Sequence, residues 1–243
     1  ASIARLQNEL ASAQDELSSG RHTDLGLILG ARSISATVLR REIDESQAFL
    51  NSNNVVSARF DAAQASLGSL SDLAQKMQET LIAATSGSSN PNVLAADAQT
   101  ALSQAITMIN TSFDGASLFG GLGVGKTLKE FSTNGAPAVV AVFEAKFGFA
   151  PGDAVSAGIT TSAMQDFLNT DFAGLFDNDA SWNSLWSNAT NDVPETRISQ
   201  GVAVRNSVSA NIPAMRNLVK SLTMIATLGL SSLNADARAA VIA

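Results

Sequence analysis

The chain has 243 residues, 45% of them hydrophobic, and a formal net charge of −7. That length buries a sizeable core in one or two domains, and the composition excludes wholesale disorder. The acidic balance argues against a nucleic-acid or anionic-membrane surface, no run of about 18 apolar residues spans a bilayer, and the absence of cysteine rules out disulfides and thiolate metal sites. A single histidine, His22, leaves no basis for a histidine metal site or a catalytic triad. No segment has the charged start, apolar middle and small-residue cleavage site of a secretory signal.

Along residues 1–18 the apolar positions Ile3, Leu6, Leu10, Ala13 and Leu17 alternate by three and four. This is a coiled-coil seam, narrower than the stripe of a globular helix. Gly20 supplies the stop, and "TDLGLILGAR" reads as a short extended crossing segment. Helical pattern resumes near Arg32 and runs to Thr85, carrying Phe60, Ala63, Leu67, Leu70, Ala74, Met77 and Leu81, with Asn-rich 51–54 as a candidate break. Residues 86–92 form a turn by composition, with Pro91 placed to start a helix over 94–113.

After Gly115 the heptad order is lost. The segment "APAVVAVFEAKFG" alternates around Val140, Val142 and Phe143 and reads as a β hairpin. "TTSAMQDFLNTDFAGLF" reads as a short helix capped by Thr161 or Ser162, and "DASWNSLWSNA" as another, with Trp182 and Trp186 on one face. From Glu195 the pattern reads as helix to the end, with Val204, Val208, Ile212, Met215, Val219, Leu222 and Ala226 on its seam and a kink at Pro213. Ala1 inside one apparent helix and "DARAAVIA" inside another predict that the natural protein extends in both directions.

Residues 120–127, Gly-Gly-Leu-Gly-Val-Gly-Lys-Thr, match G-x-x-x-x-G-K-[ST], in which backbone amides wrap phosphates between a strand and a helix. Here a helix precedes the match and no crossover helix follows, so the loop reads as a glycine-rich joint, with Lys126 as the residue a nucleotide would need. His22 sits in a helix-end turn and reads as a surface residue. Asp171, Asp177 and Asp179 lack the glycine and terminal glutamate of a calcium loop and read as solvated. Trp182 and Trp186 are a stacking platform for sugar in one reading and core in the better one. No residue is assigned a catalytic, cofactor-binding or metal-binding role, and no cofactor is expected.

Three stretches carry a resemblance. "LQNELASAQDELSSGRHTDLGLILGAR" resembles the N-terminal segment of bacterial flagellins and flagellin-like hook-associated proteins, where a helix ending in "LSSG" leads into a crossing segment. "ALSQAITMINTSFDGASLFGG" is similar to a second signature, through Asn110, Phe113, Gly115, Leu118, Phe119, Gly120 and Gly121. "ETRISQGVAVRNSVSANIPAMRNLVKSLTM" resembles the C-terminal helix of the third hook-associated protein, which joins hook to filament. "FDGASLFGG" and "SVSAN" look more like that junction protein, while "GRHTDLGLILG" departs from the Asp-Asp-Ala pattern common in flagellins.

The expected fold is mainly α: a discontinuous helical rod domain of long heptad-patterned helices from both chain ends (1–121 plus 195–243), with a small α+β insert as a variable domain (122–194). The resemblance implies a structural, non-enzymatic subunit of the flagellum, either the hook–filament junction protein or a filament flagellin. A surface adhesin or binding module using the insert is a third reading. The implied partners are like subunits, neighbouring axial proteins (hook-associated protein 1-like and flagellin) and an export chaperone, with no nucleic acid and no membrane. The implied location is extracellular, in the flagellum, after passage through its channel without a cleavable signal. The stretch in hand is expected to be monomeric, since −7 adds self-repulsion.

Overall fold

The computed structural model describes residues 2–20, 30, 33–85 and 90–242. The crossing segment, Gly30 apart, His22 and residues 86–89 lie outside the described residues. The chain is mainly helical and divides into two compact units, Ala1–Asn53 with Ile198–Gln200, and Asn54–Arg197 with Gly201–Ala243.

The first unit holds helix α1 (Ser2–Ser19) and the first part of α2 (Ser33–Thr85). Helix α1 buries none of its residues. Ile3, Leu6, Leu10 and Leu17 of the seam are all exposed, Leu17 to 87%. An Arg5–Glu9 pair one turn apart at 3.4 Å supports the solvated face, and Gly20, at φ +65°, ends the helix. Helix α2 passes through Asn51–Asn54 without the break that asparagine content suggested. The side chains there are occupied outside the backbone ladder: Gln47 Nε2 donates to Asn51 Oδ1 at 3.3 Å and Asn53 Nδ2 to the Ile198 carbonyl at 3.1 Å. An asparagine so engaged does not compete with the helix for its own backbone.

In the second unit, α2 from Asn54 on turns Val56, Leu70 and Met77 inward. Helix α3 (Pro91–Ile109) starts as its sequence dictates. Asn90 caps it, accepting from Asn92 N–H at 2.9 Å, and Pro91 sits where a missing N–H costs nothing. Its inner face is Leu94, Ala98, Ala101, Leu102, Ala105 and Ile109. The three alanines allow close approach of α8 (Pro213–Thr227), its main neighbour, which buries Met215, Val219, Leu222 and Ile225. After α3 comes a hairpin of β1 (Ser112–Phe113) and β2 (Ala116–Ser117), pairing Ser112 with Ser117 and Phe113 with Ala116.

Three expectations fail between residues 131 and 213. The "APAVVAVFEAKFG" segment is not a β hairpin. After a π turn at Phe131–Gly135 it is helix α4 (Ala136–Phe147). Pro137 occupies the first turn, Gly148 closes the helix in the left-handed region at φ +83°, and its N–H donates to the Glu144 carbonyl at 2.8 Å. Val139 and Phe143, four apart, are both fully buried, so burial follows the helical period and overrides the strand preference of the valines. The stretch from Glu195 is likewise not continuous helix. Glu195–Ser199 (β3) and Val202–Arg205 (β4) form a two-stranded sheet, so Val204 and Val208 leave the expected seam. Pro213 does not kink a helix; it begins α8 at the first helical position, with Ile212 extended before it at ψ 148°.

The remaining helices are short: α5 (Thr161–Phe167), a π turn at Leu168–Phe172, α6 (Ala173–Asp177), α7 (Asp179–Leu185) and α9 (Ala235–Ile242). Thr160, one residue ahead of the expected pair, caps α5. Helix α9 rests on α5, and Asn234, just before α9, donates to the carbonyls of Ala157 and Ile159, just before α5, at 2.9 and 2.7 Å. Phe143, Phe167, Phe172, Phe176 and both tryptophans form one chain of ring contacts, from 4.5 Å between Phe176 and Trp186 to 6.2 Å between Trp182 and Trp186. These rings share one hydrophobic cluster with α3, α8 and α9.

Candidate functional site

The Gly-rich match at 120–127 is a pinned turn. Leu122 N–H donates to the Thr190 hydroxyl at 2.7 Å and to the Asp192 carbonyl at 3.1 Å, and Gly123 N–H donates to the Gly120 carbonyl at 3.0 Å. The Leu122 and Gly123 amides are thereby spent inside the fold. Lys126 Nζ lies 2.5 Å from Glu130 Oε1, and this bond holds the Glu130 carboxyl below its ordinary pKa. Titration with Mg-ATP in a calorimeter is therefore expected to give no heat of binding. Lys126→Ala should leave the melting midpoint unchanged, because the pair is solvent-exposed. Micromolar affinity that disappears on that substitution would refute this.

The acidic set is spread over three cations. Asp171 meets Lys146 at 3.2 Å, Asp177 meets Lys220 at 2.8 Å and Asp179 meets Arg216 at 2.7 Å. The hydrogen bond to Asp166, with that to Asp171 behind it, raises the Lys146 pKa. Among the described residues no three histidine or acidic side chains converge on a metal position. The tryptophans are core: Trp182 is fully buried, and its Nε1 donates to Asn211 Oδ1 at 2.7 Å. Asn211 also accepts from Ser187 Oγ at 2.8 Å and donates to the Ala189 carbonyl at 2.9 Å. The Arg216 guanidinium lies over the Trp182 ring at 5.4 Å and donates through Nε to the Asn211 carbonyl at 2.8 Å. A cleft of about 550 Å³ opens beside this network, bordered by Asp179, Asn211 and Arg216; Arg216 pairs with Asp179, and the Asn211 amide is taken up by Trp182, Ser187, Ala189 and Asn191. Sequence reading missed the network because Asn211 and Arg216 looked like two positions on one long helix.

The best-organised feature is the turn that follows α3. Asn110 clamps it from outside, donating through Nδ2 to the Leu128 carbonyl at 3.2 Å and accepting from Leu128 N–H at 2.7 Å. Asp114 and Gly115 both take positive φ, +50° and +75°, which the two-residue hairpin loop requires. Leu118 and Phe119 point fully inward. Gly121, at φ +63°, passes so close to the next segment that a Cβ would lie 2.5 Å from the carbonyls of Thr190 and Asp192. Ser207 Oγ donates to the Leu118 carbonyl at 2.5 Å, and Ala210 N–H donates to the Phe119 carbonyl at 2.8 Å.

The α1 seam positions Ile3, Leu6, Leu10 and Leu17 are exposed, while the turn after α3 is held by bonds within the chain. A family model for the bacterial flagellin N-terminal helical region matches residues 1–123, half of the chain. The chain belongs to the flagellin family. No curated protein and no solved structure matches it. As a flagellin-family member it is a structural subunit of the bacterial flagellum, from a non-enzymatic family whose members self-assemble and lie outside the cell. Among the described residues no helix is long and apolar enough to cross a membrane.

Proposed function

We propose that this chain is the hook–filament junction subunit, similar to hook-associated protein 3. One observation carries the reading. The two stretches that look most like the junction protein, "FDGASLFGG" at 113–121 and "SVSAN" at 207–211, are bonded to each other through Ser207 and Ala210. A family-shared turn and a junction-like stretch far along the chain thus make one local structure. In this reading residues 1–121 and 195–243 carry the shared framework, and 122–194 is the part that differs between members. Its neighbours are like subunits, a hook-associated protein 1-like subunit on one side and flagellin on the other. An export chaperone accompanies it before passage through the flagellar channel.

Immunogold electron microscopy of intact flagella tests this. Label confined to a single band at the distal end of the hook is expected. Label distributed along the length makes the chain a filament flagellin instead.

A further inference from the structure

Arg59 stands on α2 at the edge of a cleft of about 420 Å³, whose walls include Ser117, Gly121, Gly123, Val124 and Asn206. Its guanidinium touches two backbone carbonyls, Nε donating to Asn206 at 3.2 Å and Nη2 to Ser117 at 2.5 Å. A guanidinium carries five N–H donors, so a fork of donors is left over. Lys126, Lys146, Arg205, Arg216 and Lys220 each hold a carboxylate, whereas among the described residues Arg59, like Lys129, bonds only to backbone carbonyls. Burial depresses the Arg59 pKa with no carboxylate offsetting it. In the same cleft Asn206 Oδ1 is buried without a partner. A partly desolvated guanidinium without a counter-charge is costly, and a carboxylate bound bidentately removes that cost.

We propose that this cleft is a contact between subunits, in which Arg59 receives an acidic side chain from a second copy of this chain. The occupant follows from three features. The family assembles from copies of its own kind. The chain carries 22 acidic against 15 basic residues, so a neighbouring copy offers carboxylates in excess. The rim presents bare aliphatic side chains, Leu122 at 60% and Val124 at 92% exposure, on a turn pinned by its own backbone. An arginine flanked by exposed apolar groups on a rigid support has the composition of an interface anchor. The cleft on one copy and the carboxylate elsewhere on the next make a head-to-tail contact, which propagates into rings or helices. The contact is independent of whether the subunit sits at the junction or in the filament.

The test uses the whole chain. Arg59→Lys keeps the charge and adds an amine that a carbodiimide joins to a touching carboxylate. Isotopically heavy and light copies are mixed equally, concentrated to about 1 mM, where a contact of millimolar Kd is populated, then cross-linked and read by mass spectrometry. Heavy–light pairs joining position 59 to an acidic residue are expected. Links at position 59 only within single copies, or none there, overturn the proposal. Val124→Glu is the second arm, since that side chain projects into solvent and its replacement does not disturb the fold. It places a negative charge at the rim and should weaken self-association of the otherwise unchanged chain, measured by sedimentation, by about tenfold or more. An unchanged Kd, or a parent chain that remains monomeric at about 1 mM, overturns the proposal as well.

Discussion

Replacing residues 122–194 with a short Gly-Ser linker is expected to abolish cooperative melting of what remains, followed by circular dichroism through a thermal ramp. The excised stretch carries Val139, Phe143, Phe167, Phe172, Phe176 and Trp182, all fully buried in the cluster that also contains Leu102, Val219 and Leu222. Burying each such side chain is worth about 1.5–3 kcal/mol, so six of them come to about 9–18 kcal/mol. Net stability of a domain is about 5–15 kcal/mol. Helix α9 loses its seat on α5, and Asn234 loses both of its carbonyl partners. Helices α3 and α8 would still touch, so helical signal should persist in part, but without a sharp transition. A cooperative transition at the parent midpoint would show that residues 122–194 form an independent insert.

The sequence made the long helices legible and obscured the middle, for identifiable reasons. Helices α1, α2 and α3 repeat their apolar spacing over many turns, and Gly20 and Pro91 mark boundaries by backbone chemistry alone. Local signals suffice there. "APAVVAVFEAKFG" fails because β-branched residues favour a strand while Pro137 and Gly148 frame a helix, and the decision falls to the burial of Val139 and Phe143 on one face. Pro213 carries opposite meanings inside a helix and at its first turn; only the extended stretch before it distinguishes them. The turn at 110–121 was readable because positive φ at Gly115 and close approach at Gly121 restrict residue type. Arg59 was not readable. One arginine on a polar helix face looks like any solvated charge until Ser117 and Asn206 are seen to close around it.

The substitution Asn211→Ala is expected to cost about 3–9 kcal/mol, read from urea unfolding by tryptophan fluorescence. The side chain satisfies Trp182 Nε1, Ser187 Oγ and the Ala189 carbonyl, three groups in buried residues. Orphaning a buried donor or acceptor costs about 1–3 kcal/mol each. The Trp182 ring is fully buried beneath the Arg216 guanidinium, and its Nε1 donates to Asn211 Oδ1. In the double variant with Trp182→Phe one of the orphaned donors no longer exists, so the two costs should sum to less than additivity requires. The effect should also travel to the junction-like turn. Asn211 closes the stretch whose Ser207 and Ala210 hold Leu118 and Phe119, so loosening it frees the Ala210 N–H bond to Phe119. Hydrogen exchange at Ala210 should therefore accelerate more than at Leu102 in the middle of α3, which depends on helix packing alone. Equal acceleration at both positions would mean that the network stabilises the fold as a whole and does not position the turn. A loss under about 1 kcal/mol would mean that the buried groups find other partners.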